Sequence, residues 1–229
     1  MIVFFRVESK YAAELQTVTH VYNDAKYSDT FKSLGISEVT RISAGPTSTL
    51  AERIGVSPVG RTIVNEYTGI EFKRAREIRD AVWKAKQIYP IILFMWHVMF
   101  LRRKVADFYR ISGTDYILIE AYWPWKWRTL LWLFFRLSWN VARKAGILDR
   151  VLFVLGINDN EQQRKKAIKE GDLWHLLRWA NDERTMRAQL EYIKKRCPGM
   201  AGIGFFVQGG SSWEAVSMAD YLIAEYFNA

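Results

Sequence analysis

The sequence predicts an α/β fold, a (β/α) barrel of the TIM-barrel-like kind with seven to eight parallel strands, irregular if one is missing. Three observations carry this expectation. Short runs rich in Val, Ile and Phe recur along the chain, apolar on both faces, as parallel strands covered by helices must be. Between them the apolar period lengthens to that of an amphipathic helix. The first strand is followed by Glu8-Ser9-Lys10 and not by a glycine-rich turn, which favours a closed barrel over an open nucleotide-binding sheet.

Seven strands are legible: Ile2 to Val7, Glu38 to Ser43, Arg61 to Glu66, Pro90 to Trp96, Asp115 to Glu120, Arg150 to Gly156 and Gly202 to Gln208. An eighth is expected between Asn158 and Arg184, unless the barrel is irregular. Helices are predicted over Phe72 to Ile88, Val98 to Ile111, Arg128 to Ala145, Glu183 to Arg196 and Ser212 to Phe227. In the first of them Ala75, Ile78, Val82 and Ala85 recur at three and four residues, one stripe for a sheet while Lys, Arg and Glu face water. Gly113, Gly146 and Pro198-Gly199 stand where helices should stop. The GxG at Gly202 to Gly204 lies inside the last strand, where it reads as close packing and not as a phosphate loop.

At 229 residues, half of them hydrophobic, the chain suits one domain spanning 1–229 with a sizeable core. The net charge of +9 admits an anionic partner such as a glycan or a membrane surface. The cations are scattered, as at Lys73, Arg74, Arg76 and Arg79, so solvated helix faces are the plainer reading and nucleic acid is not expected. The lone Cys197 excludes an internal disulfide and a cysteine-rich metal site. The start, MIVFFRVESK, has too short an apolar run for a secretory signal, so a cytoplasmic location is the default expectation. Tyr89 to Leu101 is the most apolar stretch and falls short of the roughly 20 residues a spanning helix needs; no membrane span is expected.

In such barrels the site lies at the C-terminal ends of the strands, where the loops into the helices converge. Strand exits here offer Glu8, Arg41, Ser43, Asn65, Glu66, His97, Glu120, Tyr122, Asn158, Asp159 and Gln208. Glu120 is the sharpest. It ends Ile117-Leu118-Ile119, an apolar wall that would raise a carboxyl pKa and suit it to general acid/base work. The plain alternative is an ion pair with an inward Arg6 or Arg41. Ordinary glycoside hydrolysis needs a second carboxylate, and Glu66 or Glu8 would supply it, each with the alternative of a surface turn. After Glu120 runs Ala121-Tyr122-Trp123-Pro124-Trp125-Lys126-Trp127. Trp123, Trp125 and Trp127, with Tyr122, would offer ring faces to a sugar, or else cover the barrel rim. Asn65, His97, Asn158 and Gln208 would bind hydroxyls, with a buried structural role as the alternative for His97.

His20 and His175 lack ligand-type neighbours at metal spacing, so no metal and no cofactor are expected. The stretch Trp125 to Arg143 holds Leu131, Trp132, Phe134, Phe135 and Trp139 beside Arg128 and Arg136. It reads as a barrel helix buried on a broad face, with a membrane-surface helix as the alternative and a homo-oligomer contact for the extra aromatics.

From about Phe72 to Ala229 the chain resembles the TIM-barrel glycoside-hydrolase-like superfamily. The residues that carry this are Thr114 to Trp123, Leu155-Gly156-Ile157-Asn158-Asp159, and Arg187 to Ile193 leading to Pro198-Gly199-Met200-Ala201-Gly202-Ile203-Gly204-Phe205-Phe206. The resemblance implies a carbohydrate substrate and a two-carboxylate site. It departs from the best-known clan of retaining enzymes, which would have Glu where this chain has Gln208. A glycosidase is thus the leading expectation, beside a non-catalytic barrel that binds a glycan or a protein and an enzyme of other chemistry on the same fold.

Overall fold

The computed structural model describes residues 2–6, 20–22, 37–42, 62–64, 91–95, 103, 106–107, 110, 115–121, 128–157, 161–171, 183–207 and 212–227, the strands up to residue 95 through backbone and pairing. Among the described residues there are eight strands: β1 (Ile2–Arg6), β2 (His20–Tyr22), β3 (Ser37–Ile42), β4 (Thr62–Val64), β5 (Ile91–Met95), β6 (Tyr116–Glu120), β7 (Val151–Ile157) and β8 (Gly202–Val207). The described helices are α1 (Arg128–Ala145), α2 (Glu161–Glu170), α3 (Glu183–Arg196) and α4 (Trp213–Phe227). Arg103, Ala106, Asp107 and Arg110 are also helical. The expected helix over Phe72 to Ile88 and the stop at Gly113 lie outside the described residues.

The protein is α/β, and every strand pairing among the described residues is parallel. Each strand pairs with the next, and β8 pairs with β1, so the order closes on itself. The register can be followed round. Ser37 leads through His20, Phe4, Gly204 and Val154 to Glu120. From Ile117, three residues before Glu120, it continues through Leu93 and Val64 to Ile42, five residues beyond Ser37. A full circuit therefore shifts the register by eight residues.

Seven of these strands match expected ones within one or two residues. The eighth is β2, near the N-terminus, and not the element expected between Asn158 and Arg184; the described part of that stretch holds helix α2 instead. Three residues of strand are too few to display a period, and Glu161–Glu170 carries Ala167 and Ile168 as its only apolar residues, too few for a stripe.

The described core lies between β6, β7, β8 and helices α1, α3 and α4. Ile117, Ile119, Val151, Phe153, Leu155, Ile157, Ile203 and Phe205 form one buried cluster with Leu131, Phe134, Phe135, Met186, Leu190, Ile193, Val216, Ala219, Leu222 and Ile223. The helical contributors recur at three and four residues, so each helix turns one face to the strands. Side chains alternate along a strand, and Leu118, Leu152 and Val154, at most 1% exposed, therefore occupy the face turned away from those helices. Strand β7 is buried along its whole length, which explains its unbroken apolar run.

The helix ends are satisfied by specific groups. After α1, Gly146 takes φ +69°, its N–H donates to Arg143 O and the Ile147 N–H to Ala142 O, the paired closure of a Schellman motif. Arg136 Nη1 donates to Arg196 O at 2.7 Å, and Trp139 Nε1 to Pro198 O at 2.9 Å, so α1 satisfies carbonyls at the end of α3. Ser212 Oγ accepts the Ala215 N–H at 3.2 Å, an N-cap for α4.

Helix α1 buries one face and exposes another. Leu131, Phe134, Phe135, Ser138, Ala142 and Ala145 are buried, Trp132 stacks on Tyr192 of α3 at 4.4 Å and 6°, and the Trp139 ring lies against the guanidinium groups of Arg136 and Arg143. Its aromatic residues pack inward or onto α3, as in a helix buried on a broad face. Leu130, Leu133 and Leu137 are its exposed apolar residues. Among the described residues no helix is long and apolar enough to cross a membrane.

Candidate functional site

The pairing defines which backbone positions share a face. In a parallel pair, residues in register lie on the same side of the sheet, and the side alternates along each strand. Starting from Leu118 and Val154, that face carries Leu152, Gly202 and Gly204 through β7 and β8, then Ile2, Phe4 and Arg6 of β1. It continues to His20 and Tyr22 of β2, Val39 and, two residues on, Arg41 of β3, Ile63 of β4, and Ile92 and Phe94 of β5. Position 120 belongs to it as well, in register with Val154.

Read from the N-terminal to the C-terminal ends of the strands, this face changes character. Its middle is apolar: Phe4, Val39, Ile63, Ile92, Leu118 and Leu152. Toward the C-terminal ends come Arg6, Tyr22, Arg41 and Glu120, in four strands, together with Val154, Gly156 and Phe206. Arg6, Tyr22 and Glu120 are each the last residue of their strands. The Ala121 N–H donates to Val154 O at 2.8 Å, so β6 stays held to β7 one residue past Glu120.

Of the residues expected to form the site, Glu120 is a described one, and it stands at the C-terminal end of β6 as expected. Glu8, Glu66, Asn65, His97, Tyr122, Trp123, Trp125, Trp127, Asn158 and Gln208 lie outside the described residues. Tyr22 escaped the sequence reading because β2 did; the signal available was His20-Val21-Tyr22 followed by Asn23-Asp24, an apolar-containing triplet before turn residues.

Among the described residues no group of three His, Cys, Asp or Glu side chains is arranged to hold a metal ion. An open groove of about 620 Å³ is lined by Glu183, Arg184, Arg187, Ala188 and Glu191. It lies along the first half of α3. Arg187 donates to Glu183 at 2.9 Å and to Glu225, and the Tyr226 hydroxyl donates to Glu191 at 2.9 Å. Hydrogen bonds to Glu183 and Glu225 hold the Arg187 guanidinium even more firmly protonated than usual. This network ties α3 to α4 at the surface.

No known protein family matches the chain, and no curated protein matches it by sequence. Solved structures that align with it include the PgaB (BpsB) glycoside hydrolase domain from Bordetella bronchiseptica, at TM-score 0.49 and 9% identity over 82% of this chain and 83% of that one. The YdjI aldolase from Escherichia coli K12 aligns at TM-score 0.47 and 12% identity, over 90% and 74%. A DUF72 family protein from Enterococcus faecalis V583 aligns at TM-score 0.42 and 10% identity, over 100% and 96%. Likenesses this distant select neither activity.

Proposed function

We propose that the chain is a (β/α)8 barrel acting on glycosidic bonds, with Glu120 as general acid/base at the C-terminal mouth. The observation that carries the reading is the register. Eight parallel strands with a circuit shift of eight residues have the strand number and shear of the TIM barrel, whose inner face is filled by layers of four residues from alternate strands.

That rule groups the shared face here. Phe4, Val39, Ile92 and Leu152 make one layer, from odd-numbered strands. Tyr22, Ile63, Leu118 and Gly204 make the next, from even-numbered ones. Arg6, Arg41, Phe94 and Val154 follow, and Glu120 with Phe206 belongs to the layer above. Apolar layers below and ionisable positions above are what a barrel with its site at the C-terminal ends requires.

In this reading the Glu120 carboxyl gives its proton to the glycosidic oxygen as the bond to the anomeric carbon breaks. Water adds to that carbon and yields its proton to a second carboxylate, for which Glu8 and Glu66 remain the candidates. Trp123, Trp125 and Trp127, which follow Glu120 in the chain, would supply ring faces for the sugar, and Asn65, Tyr122, His97, Asn158 and Gln208 its polar contacts. No cofactor enters this chemistry.

A second reading, a barrel that binds without cleaving, follows from Gln208, which stands where the best-known clan of retaining enzymes has Glu. A panel of diverse glycans, assayed for binding and for reducing-end release with the native chain and Glu120→Gln, separates the two. Release lost by about 10²-fold or more in the variant supports the acid role; binding without release in both supports the second reading.

A further inference from the structure

The packing of α1 on the strands and on α3 leaves a leucine ridge open. Leu131, Phe134, Phe135, Ser138, Ala142 and Ala145 are buried, while Trp132, Arg136 and Trp139 are engaged with α3 and the residues that end it. Leu130, Leu133 and Leu137 belong to neither set. They recur at three and four residues and are 53%, 53% and 38% exposed, a ridge of about 10 Å along the outside of the helix.

Cations flank this ridge on α1 and continue onto α3. Arg136, Arg143 and Lys144 of α1 and Lys194, Lys195 and Arg196 of α3 are exposed, and the bond from Arg136 to Arg196 O joins the two groups. Asp149 is the one acidic residue from 128 to 157, and there is none from 192 to 207. Among the described residues no carboxylate lies within ion-pair distance of any of these six cations. Arg136 and Arg143 lie instead over the Trp139 ring. The carbonyls that end α1 and α3 offer roughly half a negative charge each, well short of what six cations can take.

Exposed leucines edged by cations without acids make the pattern of a helix lying in a membrane interface, its apolar side chains among the acyl chains and its cations at the headgroups. A second copy of the chain fits poorly, because a symmetric contact sets the same cations face to face. A convex helix face also suits a fluid surface, which needs no matching groove. We infer that α1 docks the side of the barrel on an anionic lipid bilayer, with Leu130, Leu133 and Leu137 entering the interface and the cations of α1 and α3 meeting the headgroups. The net charge of +9 adds attraction at longer range. None of this depends on the role proposed for Glu120.

Vesicle flotation with the full chain tests it, comparing phosphatidylcholine alone with phosphatidylcholine carrying about 30% phosphatidylserine. Binding to the anionic vesicles should be stronger by about 10-fold or more and should weaken with rising salt. It should fall about 10-fold or more when Leu130→Gln, Leu133→Gln and Leu137→Gln are combined, and likewise when Arg143→Gln, Lys144→Gln and Lys195→Gln are combined. Tyr221→Gln, at a residue of α4 that is 62% exposed, should bind as the native chain does. A polarity-sensitive fluorophore on Leu133→Cys should shift its emission to the blue on anionic vesicles, and one on Tyr221→Cys should not; Cys197 is buried and does not compete for the label.

Equal binding to the two kinds of vesicle, no binding to the anionic ones at low salt, or binding unchanged in the leucine variant overturns the inference. A dimer that forms without lipid and is lost in the leucine variant assigns the ridge to a second copy and overturns it too. So does leucine-dependent binding of poly-glutamate as tight as that of the vesicles, which assigns the ridge to an acidic protein. Should the leucine variant fail to fold, the labelled single variants decide: a blue shift at 133 and none at 221 supports the docking, and no shift at 133 overturns it.

Discussion

Phe135 of α1 and Phe153 of β7 lie with ring centroids 4.5 Å apart, both fully buried, and together they join the helical layer to the parallel strands. Phe134 reaches the same ring of Phe153 at 6.4 Å. On the opposite side of α1, Leu133 is 53% exposed. Truncating a buried aromatic loses its transfer free energy and leaves a cavity, so Phe135→Ala is expected to cost about 3–5 kcal/mol. Leu133→Ala on the same helix should cost about 0.5 kcal/mol. Urea unfolding of both variants checks this, and equal midpoints would contradict the assigned helix faces.

Two helix-terminal glycines make a second contrast. Gly146 and Gly199 take φ of +69° and +80°, a conformation that costs an L-residue about 1–2 kcal/mol. A Cβ at Gly146 meets nothing within 4 Å, whereas one at Gly199 sits 3.3 Å from Leu148 Cδ2. Both alanine variants should lower stability by the backbone cost, and Gly199→Ala by more, since the Leu148 side chain has to give way. Thermal melts of the pair measure the difference; Gly146→Ala as the worse of the two would count against this contact.

How much of this was open to sequence reading depends on the range of each signal. Helices α1 and α3 run over the expected residues because their stripes, Leu131-Phe135-Ser138-Ala142 and Met186-Leu190-Ile193, and their glycine stops are local. Strand β2 and helix α2 went unread because His20–Tyr22 is too short and Glu161–Glu170 too polar to show a period. Glu120 was legible as the polar end of an apolar run. The sequence also offers Arg6 and Arg41 as inward positions, whereas Tyr22 is missed together with β2, and the shared face itself follows from register between strands that are distant in sequence.

Cys197 gives a pH-dependent prediction. Its thiol is 2% exposed, and burial pushes its pKa up to about 12 from 9.0, against the opposing pull of nearby Arg136. As pH rises past about 9 the unfolded chain ionises while the folded thiol stays neutral, which favours unfolding. The stability this group contributes is complete below pH 9 and lost progressively toward about 12, at no more than about 1.4 kcal/mol per pH unit. Tyr192, whose pKa burial also raises, acts in the same direction, so the cysteine's part is the difference between the native chain and Cys197→Ala. Urea midpoints from pH 8 to 11 should converge for the two as pH rises; a constant gap would show that the thiol does not titrate there. At pH 8 the native thiol should resist a disulfide reagent until urea exposes it.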